Sequence, residues 1–387
     1  MIKEKQDIKT ALFTKISQAP GEKISFADYM DWVLYDPQYG YYQTPNREIG
    51  QRGDFFTSVS LGADFGELLA KQFQEMWQNL GQPSRFDLVE MGAGTGALAQ
   101  DILLFLQAHF SEFYAVVNYT IIERSEALIQ TQKLTLNQFL GRITWATWDD
   151  IPAQAWTGCC FSNELVDAFP VHLVTIHQQT LQEIFLTVQG DQLQEVIAPL
   201  STPKIQEYLT LNQIELTAQN YPDGYRTEVN LQALDWLTTV ASKLKTGYLL
   251  TIDYGYSAVK YYHPQRSQGT LTCYYQHRHH HDPYINLSQQ DITAQVNFTA
   301  LEKGGEHCQF VSLGFTQQAL FLMGLGLGDR LMELSAGQYD FTTLLKRRDS
   351  LHQLIEPTGL GKFGVLIQGK GLIPEQEQLP LSGLSLQ

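Results

Sequence analysis

Three glycines at alternate positions, Gly92, Gly94 and Gly96, follow an acid, Glu90, in the stretch FDLVEMGAGTG (Phe86 to Gly96). Glycine permits left-handed backbone angles and lets a ligand approach main-chain amides at a helix N-terminus. A second cluster, Asn163, Glu164 and Asp167, lies in SNELVDAFPV (Ser162 to Val171). Single acids stand near other strand ends, Glu123 closing VNYTIIE and Asp149 in WDD, and Thr57 with Ser58 stand in the loop GDFFTS upstream of the glycine stretch. Such a set suits two tasks, holding a nucleotide-like donor and orienting an acceptor beside it.

The spacing discriminates between donors. Dinucleotide sites usually carry G-x-G-x-x-G, with room for a pyrophosphate. Here the run is E-x-G-x-G-x-G, and a carboxylate before the turn repels pyrophosphate while suiting an ammonium or sulfonium. S-adenosylmethionine (SAM) is a ligand of that kind; the bland alternative is a tight strand-to-helix turn with no ligand. Given the turn, Glu123 is expected to accept from the ribose hydroxyls and Asp149 to lie beside the adenine. Thr57 and Ser58, with Gly53 and Asp54, sit on a loop that either folds over the ligand or simply packs. Asn163, Glu164 and Asp167 are expected to border the reacting methyl group, the rival reading being a helix cap whose acids favour the dipole. Asp253 and Asp291 are weaker candidates.

These residues require an α/β scaffold to position them. Phe86–Val89, Val117–Glu123, Arg142–Thr147, Gly158–Phe161 and Gly247–Gly255 read as strands, with helical periodicity over Ala97–His109 and Ser125–Phe139, the repeat of a doubly wound sheet. Alternation from His172 through LQEIFLTV and LQEVIA predicts an inserted β-meander after the fourth strand. Helical patterns precede the sheet at Ile8–Gln18 and Phe26–Leu34, the second capped by Ser25. DITAQVNFTALEK (Asp291–Lys303) reads as a helix capped by Asp291. Further strands are expected at Gln309–Leu313 and Phe363–Gln368, and helices at Leu331–Leu334 and Phe341–Arg347. The predicted division is an N-terminal cap over 1–84, a SAM-binding domain over 85–372 with insertions at about 171–245 and 257–290, and a loose tail over 373–387.

The bulk composition excludes several classes. A net charge of −15 argues against sequence-independent nucleic-acid binding, which needs basic surface. No apolar run reaches a membrane span. The four cysteines, Cys159, Cys160, Cys273 and Cys308, show no metal-ligand spacing and read as reduced core residues. Adjacent histidines in a polar loop, His277 to His281, rarely converge on one ion, so no metal is expected. An N-terminus without an apolar signal region points to a cytoplasmic protein.

The stretches DYMDWVLYDPQYGYY, GDFFTS with FGELLA, LVEMGAGTGALAQDIL, SNELVDAFPV, TIDYG, and GTL with DITAQVNFTAL together resemble the MidA family of SAM-dependent methyltransferases, whose mitochondrial members are complex I assembly factors. The resemblance runs from about Ile24 to Lys370. It implies a Rossmann-like, seven-stranded class I methyltransferase sheet and methylation of a protein arginine, with a respiratory-type complex subunit as the protein partner and a homodimer as the candidate assembly. Leu165 departs from the aromatic residue that often follows the Asn-Glu pair in relatives. Two rival readings stay open at this level: a SAM-binding scaffold without turnover, and an NAD(P) oxidoreductase, which the glycine spacing disfavours.

Overall fold

The computed structural model describes residues 2–43, 57–334 and 340–386; Gly53 and Asp54 lie outside them. The chain divides into two compact units.

The sheet unit comprises Glu48–Leu165, Leu237–Tyr254 and Gly305–Gln387. Its strands are β1 (Phe86–Met91), β2 (Val117–Ile122), β3 (Ile143–Ala146), β4 (Trp156–Asn163), β5 (Leu244–Asp253), β6 (Phe310–Gln317) and β7 (Gly364–Lys370), hydrogen-bonded in the order β6-β7-β5-β4-β1-β2-β3. The strands β1 to β5 are parallel, and β7 runs antiparallel to both of its neighbours. The result is an α/β unit with a mixed sheet. Strand order reverses at β1, which has β2 on one side and β4 on the other; in open parallel sheets that switch point opens a crevice at the strand C-termini.

Every residue of β1 is buried, Glu90 included. Its one other acid, Asp87, accepts from Arg85, Asn118 Nδ2 and the Thr157 amide, so the buried charge is paired. Phe73, Phe86, Leu88, Phe161 and Leu250 belong to one core cluster, each worth roughly 1.5–3 kcal/mol when fully buried. The tail, expected to be loose, is held instead: the Ser382 amide and hydroxyl donate to Glu75 at 2.8 and 2.7 Å, and the Gly383 amide donates to Gln72 at 3.0 Å. Polar composition concealed this because the tail docks through two main-chain amides and a serine hydroxyl.

The second unit comprises Met1–Arg47, Val166–Trp236 and Gly255–Gly304. The meander is present as His172–His177, Thr180–Gln189 and Gln192–Ala198, joined by a tight turn in which Gln178 and Gln179 take left-handed angles. Lys23–Ser25 and Arg226–Val229 complete a five-stranded sheet. The second of these follows a turn at Gly224, and RTEV extends to pair with His172–Thr175. Helix Phe26–Tyr35 begins with a full capping box between Ser25 and Asp28.

Two expectations are corrected in this unit. Asp291–Lys303 is not one helix: Asp291–Thr293 and Val296–Asn297 are strands, and the helix runs over Phe298–His307. The β-branched residues Ile292, Thr293 and Val296 favour extended backbone, Thr293 pairs with Thr272, and the capping oxygen is Asn297 Oδ1, which accepts the Ala300 amide. The histidine-rich segment is a hairpin rather than a loop. Thr272–Tyr275 pairs with Arg278–His280 across a two-residue turn at Gln276 and His277, both with positive φ.

Candidate functional site

The glycine turn leaves the C-terminal end of β1 at the switch point. Gly92, Gly94 and Gly96 have φ of 73°, 53° and 82°, the region that side-chain-bearing residues avoid. Space adds a second requirement at two of them. A Cβ on Gly92 would stand 2.8 Å from Leu165 Cδ1, and one on Gly96 would stand 3.0 Å from Leu136 Cδ1, whereas one on Gly94 would meet nothing within 4 Å. Gly94 therefore faces open space at the entrance of helix Ala97–His109, which has no side-chain cap. An uncapped helix start beside bare backbone fits a ligand seeking main-chain donors.

Glu90 lies within the sheet at 3% exposure, and Tyr119 of β2 donates its hydroxyl to Glu90 at 2.7 Å. Burial pushes the Glu90 carboxyl up to about 7, partly offset by that bond. The carboxyl is thus tied sideways to the neighbouring strand, which adds a structural task to the electrostatic one read from the sequence.

Glu123 follows β2 and is half-buried. Its Oε1 accepts the amides of Arg124 and Ser125 at 2.8 Å each, and its Oε2 accepts Gln132 Nε2 at 3.2 Å. Burial holds this carboxyl above its ordinary range against the lowering effect of those donors. Gln132 Nε2 also donates to the Gly94 carbonyl at 3.0 Å, so Glu123 and the glycine turn are brought together by one amide. Asp149 is exposed in the turn Trp148–Asp150 after β3. Thr57 and Ser58 open the turn before helix Asp64–Asn79; the Ser58 hydroxyl is fully buried and donates to Gln318 at 3.2 Å, a packing role.

At the end of β4, beside β1, Asn163 and Glu164 are half-buried. Glu164 has φ 51°, unusual for a non-glycine residue, and its amide donates to Ile252 O at 2.9 Å. Asn163 Nδ2 donates to Glu164 Oε1 at 3.2 Å. Asp253, fully buried at the end of β5, accepts the Leu165 amide at 3.2 Å and the Tyr254 amide at 2.9 Å, so it secures this corner. Asp167 belongs to the second unit, is buried, and accepts the Ala294 amide on its main-chain oxygen at 2.9 Å. In the same unit Asp291 accepts the Tyr42 hydroxyl at 2.9 Å, and Tyr42 stacks on Tyr35, whose hydroxyl donates to Ala168 O. These tyrosines of the aromatic stretch spend their hydroxyls within that unit.

Gln132, Trp145 and Tyr119 are the site-supporting residues that sequence reasoning missed. None stands in a motif. Only Tyr119 left a trace, since the parallel register of β1 and β2 places it one step from Glu90 on the same face.

A glycine turn at a switch point, with a strand-end acid on each adjoining strand, defines a nucleotide-type donor site on an α/β sheet. Comparison with known proteins makes this specific. Residues 68–316 match the Methyltransf_28 family, described as an S-adenosyl-L-methionine-dependent methyltransferase. The chain belongs to this family, and it is a SAM-dependent methyltransferase. The rat "Protein arginine methyltransferase NDUFAF7, mitochondrial" is 30% identical over 338 residues, covering 80% of this chain and 72% of that protein. Its human counterpart is 30% identical over 342 residues with the same coverage. A crystal structure from Burkholderia thailandensis bound to S-adenosyl-homocysteine superposes with a TM-score of 0.86 at 29% identity, covering 99% of this chain and 95% of that one. The cytoplasmic expectation is corrected by these findings: the rat, mouse and human relatives are all named mitochondrial. The absence of a recognisable N-terminal signal was too weak a basis for a compartment.

No helix among the described residues is long and apolar enough to cross a membrane. Among the described residues no group of His, Cys, Asp and Glu is arranged to hold a metal ion.

Proposed function

We propose that this methyltransferase transfers the SAM methyl group to an arginine side chain of a protein, as the names of its relatives say of them. The observation that carries the reading is the pairing of β1 with β4, which sets the glycine turn against Leu165 and so beside Asn163 and Glu164. In this reading Gly92, Gly94 and Gly96 admit the donor to main-chain groups, Glu123 accepts from the ribose, and Asp149 lies on the adenine side. Glu90 supports the turn from within the sheet. Thr57 and Ser58 shape the loop before the first sheet helix.

When bound, SAM supplies an activated methyl group and a neutral thioether leaving group. The chain's task is then alignment and exclusion of water. A guanidinium remains charged at neutral pH and is a poor nucleophile until oriented. Glu164 takes that orienting role through charge-assisted hydrogen bonds, aided by Asn163, with Asp167 as the second acid of the same stretch. The finer architecture goes with this reading: a class I methyltransferase sheet of seven strands, and the β-rich stretch after β4 as an acceptor-selecting insertion. A respiratory-type complex subunit is the proposed acceptor protein, and a homodimer the candidate assembly.

The test is incubation of the pure protein with radiolabelled SAM and its own cell extract, with the labelled residue placed by mass spectrometry. Label on arginine in the wild type, lost in Glu164→Gln and Asp167→Asn while SAM binding persists, is the expected result. SAM binding with no labelled protein band would refute the reading.

A further inference from the structure

Gln132 is fully buried on helix Glu126–Thr135, far from any motif. Its amide has three partners on three elements. Trp145 Nε1 of β3 donates to Gln132 Oε1 at 2.9 Å; Gln132 Nε2 donates to the Gly94 carbonyl at 3.0 Å and to Glu123 Oε2 at 3.2 Å. The indole N–H can only donate, so it fixes which end of the amide is oxygen and directs the NH2 toward Gly94 and Glu123. Packing reinforces this orientation. A Cβ on Gly96 would come within 3.4 Å of Gln132 Cα and Cγ, so the side chain lies directly against the glycine turn.

The consequence concerns Glu123. Two amides occupy its Oε1, and Gln132 occupies one direction of Oε2, so the carboxylate is held in one rotation. A carboxylate oxygen has two lone-pair directions, so Oε2, with one partner, keeps accepting capacity for a ligand hydroxyl. The same amide holds the Gly94 peptide, the part of the turn that faces open space. We infer that Gln132 is the positioning residue of the SAM site, locking the ribose-facing carboxylate of Glu123 and the Gly94 peptide in mutual register. The inference rests on the proposed ribose role of Glu123.

A double-mutant cycle read by calorimetry with S-adenosylhomocysteine tests it. Glu123→Gln and Gln132→Met, which keeps volume and removes the amide, are each expected to weaken binding about tenfold, the usual cost of losing a hydrogen bond to a charged group. Their combination should lose less than the two single losses added together, since part of what Gln132 does runs through Glu123. A purely structural role would give additive losses, which would overturn the inference while leaving the ribose reading intact. Unchanged affinity in Glu123→Gln would instead overturn the ribose reading and this inference with it. Should Gln132→Met fail to fold, Trp145→Phe serves in its place. It frees the amide to turn, and its smaller loss should likewise shrink in the Glu123→Gln background; an undiminished loss there overturns the inference.

Discussion

Replacing Glu90 with glutamine isolates the buried carboxyl beneath the glycine turn. The side chain is 3% exposed and its carboxyl is raised by burial from 4.5 to about 7. In the unfolded chain the group ionises near its ordinary value, so the unfolded state sheds its proton first as pH rises. The stability this group contributes is therefore fully present below about 4.5, falls between there and about 7, and is flat above. A difference of about 2.5 pH units, at about 1.4 kcal/mol per unit, makes the loss about 3 kcal/mol. Glutamine can still accept from the Tyr119 hydroxyl through its carbonyl oxygen, but it does not titrate. The assay is urea unfolding of wild type and Glu90→Gln at several pH values between 4.5 and 8, taking the difference in stability at each. Asp101, raised to about 6 by burial and by Glu67 and Asp64, slopes in the same direction and cancels in that difference. The glutamine variant should gain on the wild type by about 3 kcal/mol across the range. A difference that does not change with pH would refute the assignment of Glu90 as a titrating group inside the sheet.

Other perturbations test separate parts of the structure. Gly94→Ala adds a methyl group that meets nothing yet leaves φ at 53°, so the backbone cost of about 1 kcal/mol should appear alone in thermal melts. Gly96→Ala adds the 3.0 Å approach to Leu136 and should melt lower than Gly94→Ala. Asp64 accepts from Arg330 at 2.6 Å and from Arg347 at 2.7 and 3.0 Å, so Asp64→Ala removes the acid the two guanidinium groups share, Arg330 keeping Glu67, and should cost about 1–3 kcal/mol in urea unfolding at neutral pH. Burial alone would raise the Asp64 carboxyl, but Arg347 and Arg330 hold it below its ordinary range. That contribution is present above the ordinary carboxylate pKa and lost as pH falls, so the gap between variant and wild type should close in acid. Ser25→Ala removes the oxygen that accepts the Asp28 amide at 3.0 Å and should destabilise the second unit by about 1 kcal/mol, measured by hydrogen exchange over Phe26–Tyr35.

What could be read from the sequence was local in the chain. The glycine turn was legible because its requirement, three left-handed glycines between a buried strand and a helix, falls within eleven consecutive residues. The Ser25 cap and the meander were legible for the same reason, since caps and tight turns are set by neighbours. Asp291–Lys303 misled because a helical spacing of apolar residues competes with strand pairing, and the partner that decided it, Thr272–Tyr274, lies about twenty residues away.

The sequence by itself pointed to the donor: the alternate glycines and the stretches that resemble the MidA family favoured SAM over a dinucleotide. Tertiary structure alone decided how that turn is held. Gln132 reaches Gly94 across 38 positions of chain and Tyr119 reaches Glu90 across 29, so neither pairing follows from a motif. Glu90, read as a charge facing the ligand, proved to be a buried carboxyl bonded sideways, because strand alternation and sheet pairing choose the face and the neighbour. Residue types near a strand end announce that chemistry is available; folding sets which of those groups keep their charge and their free lone pairs for it.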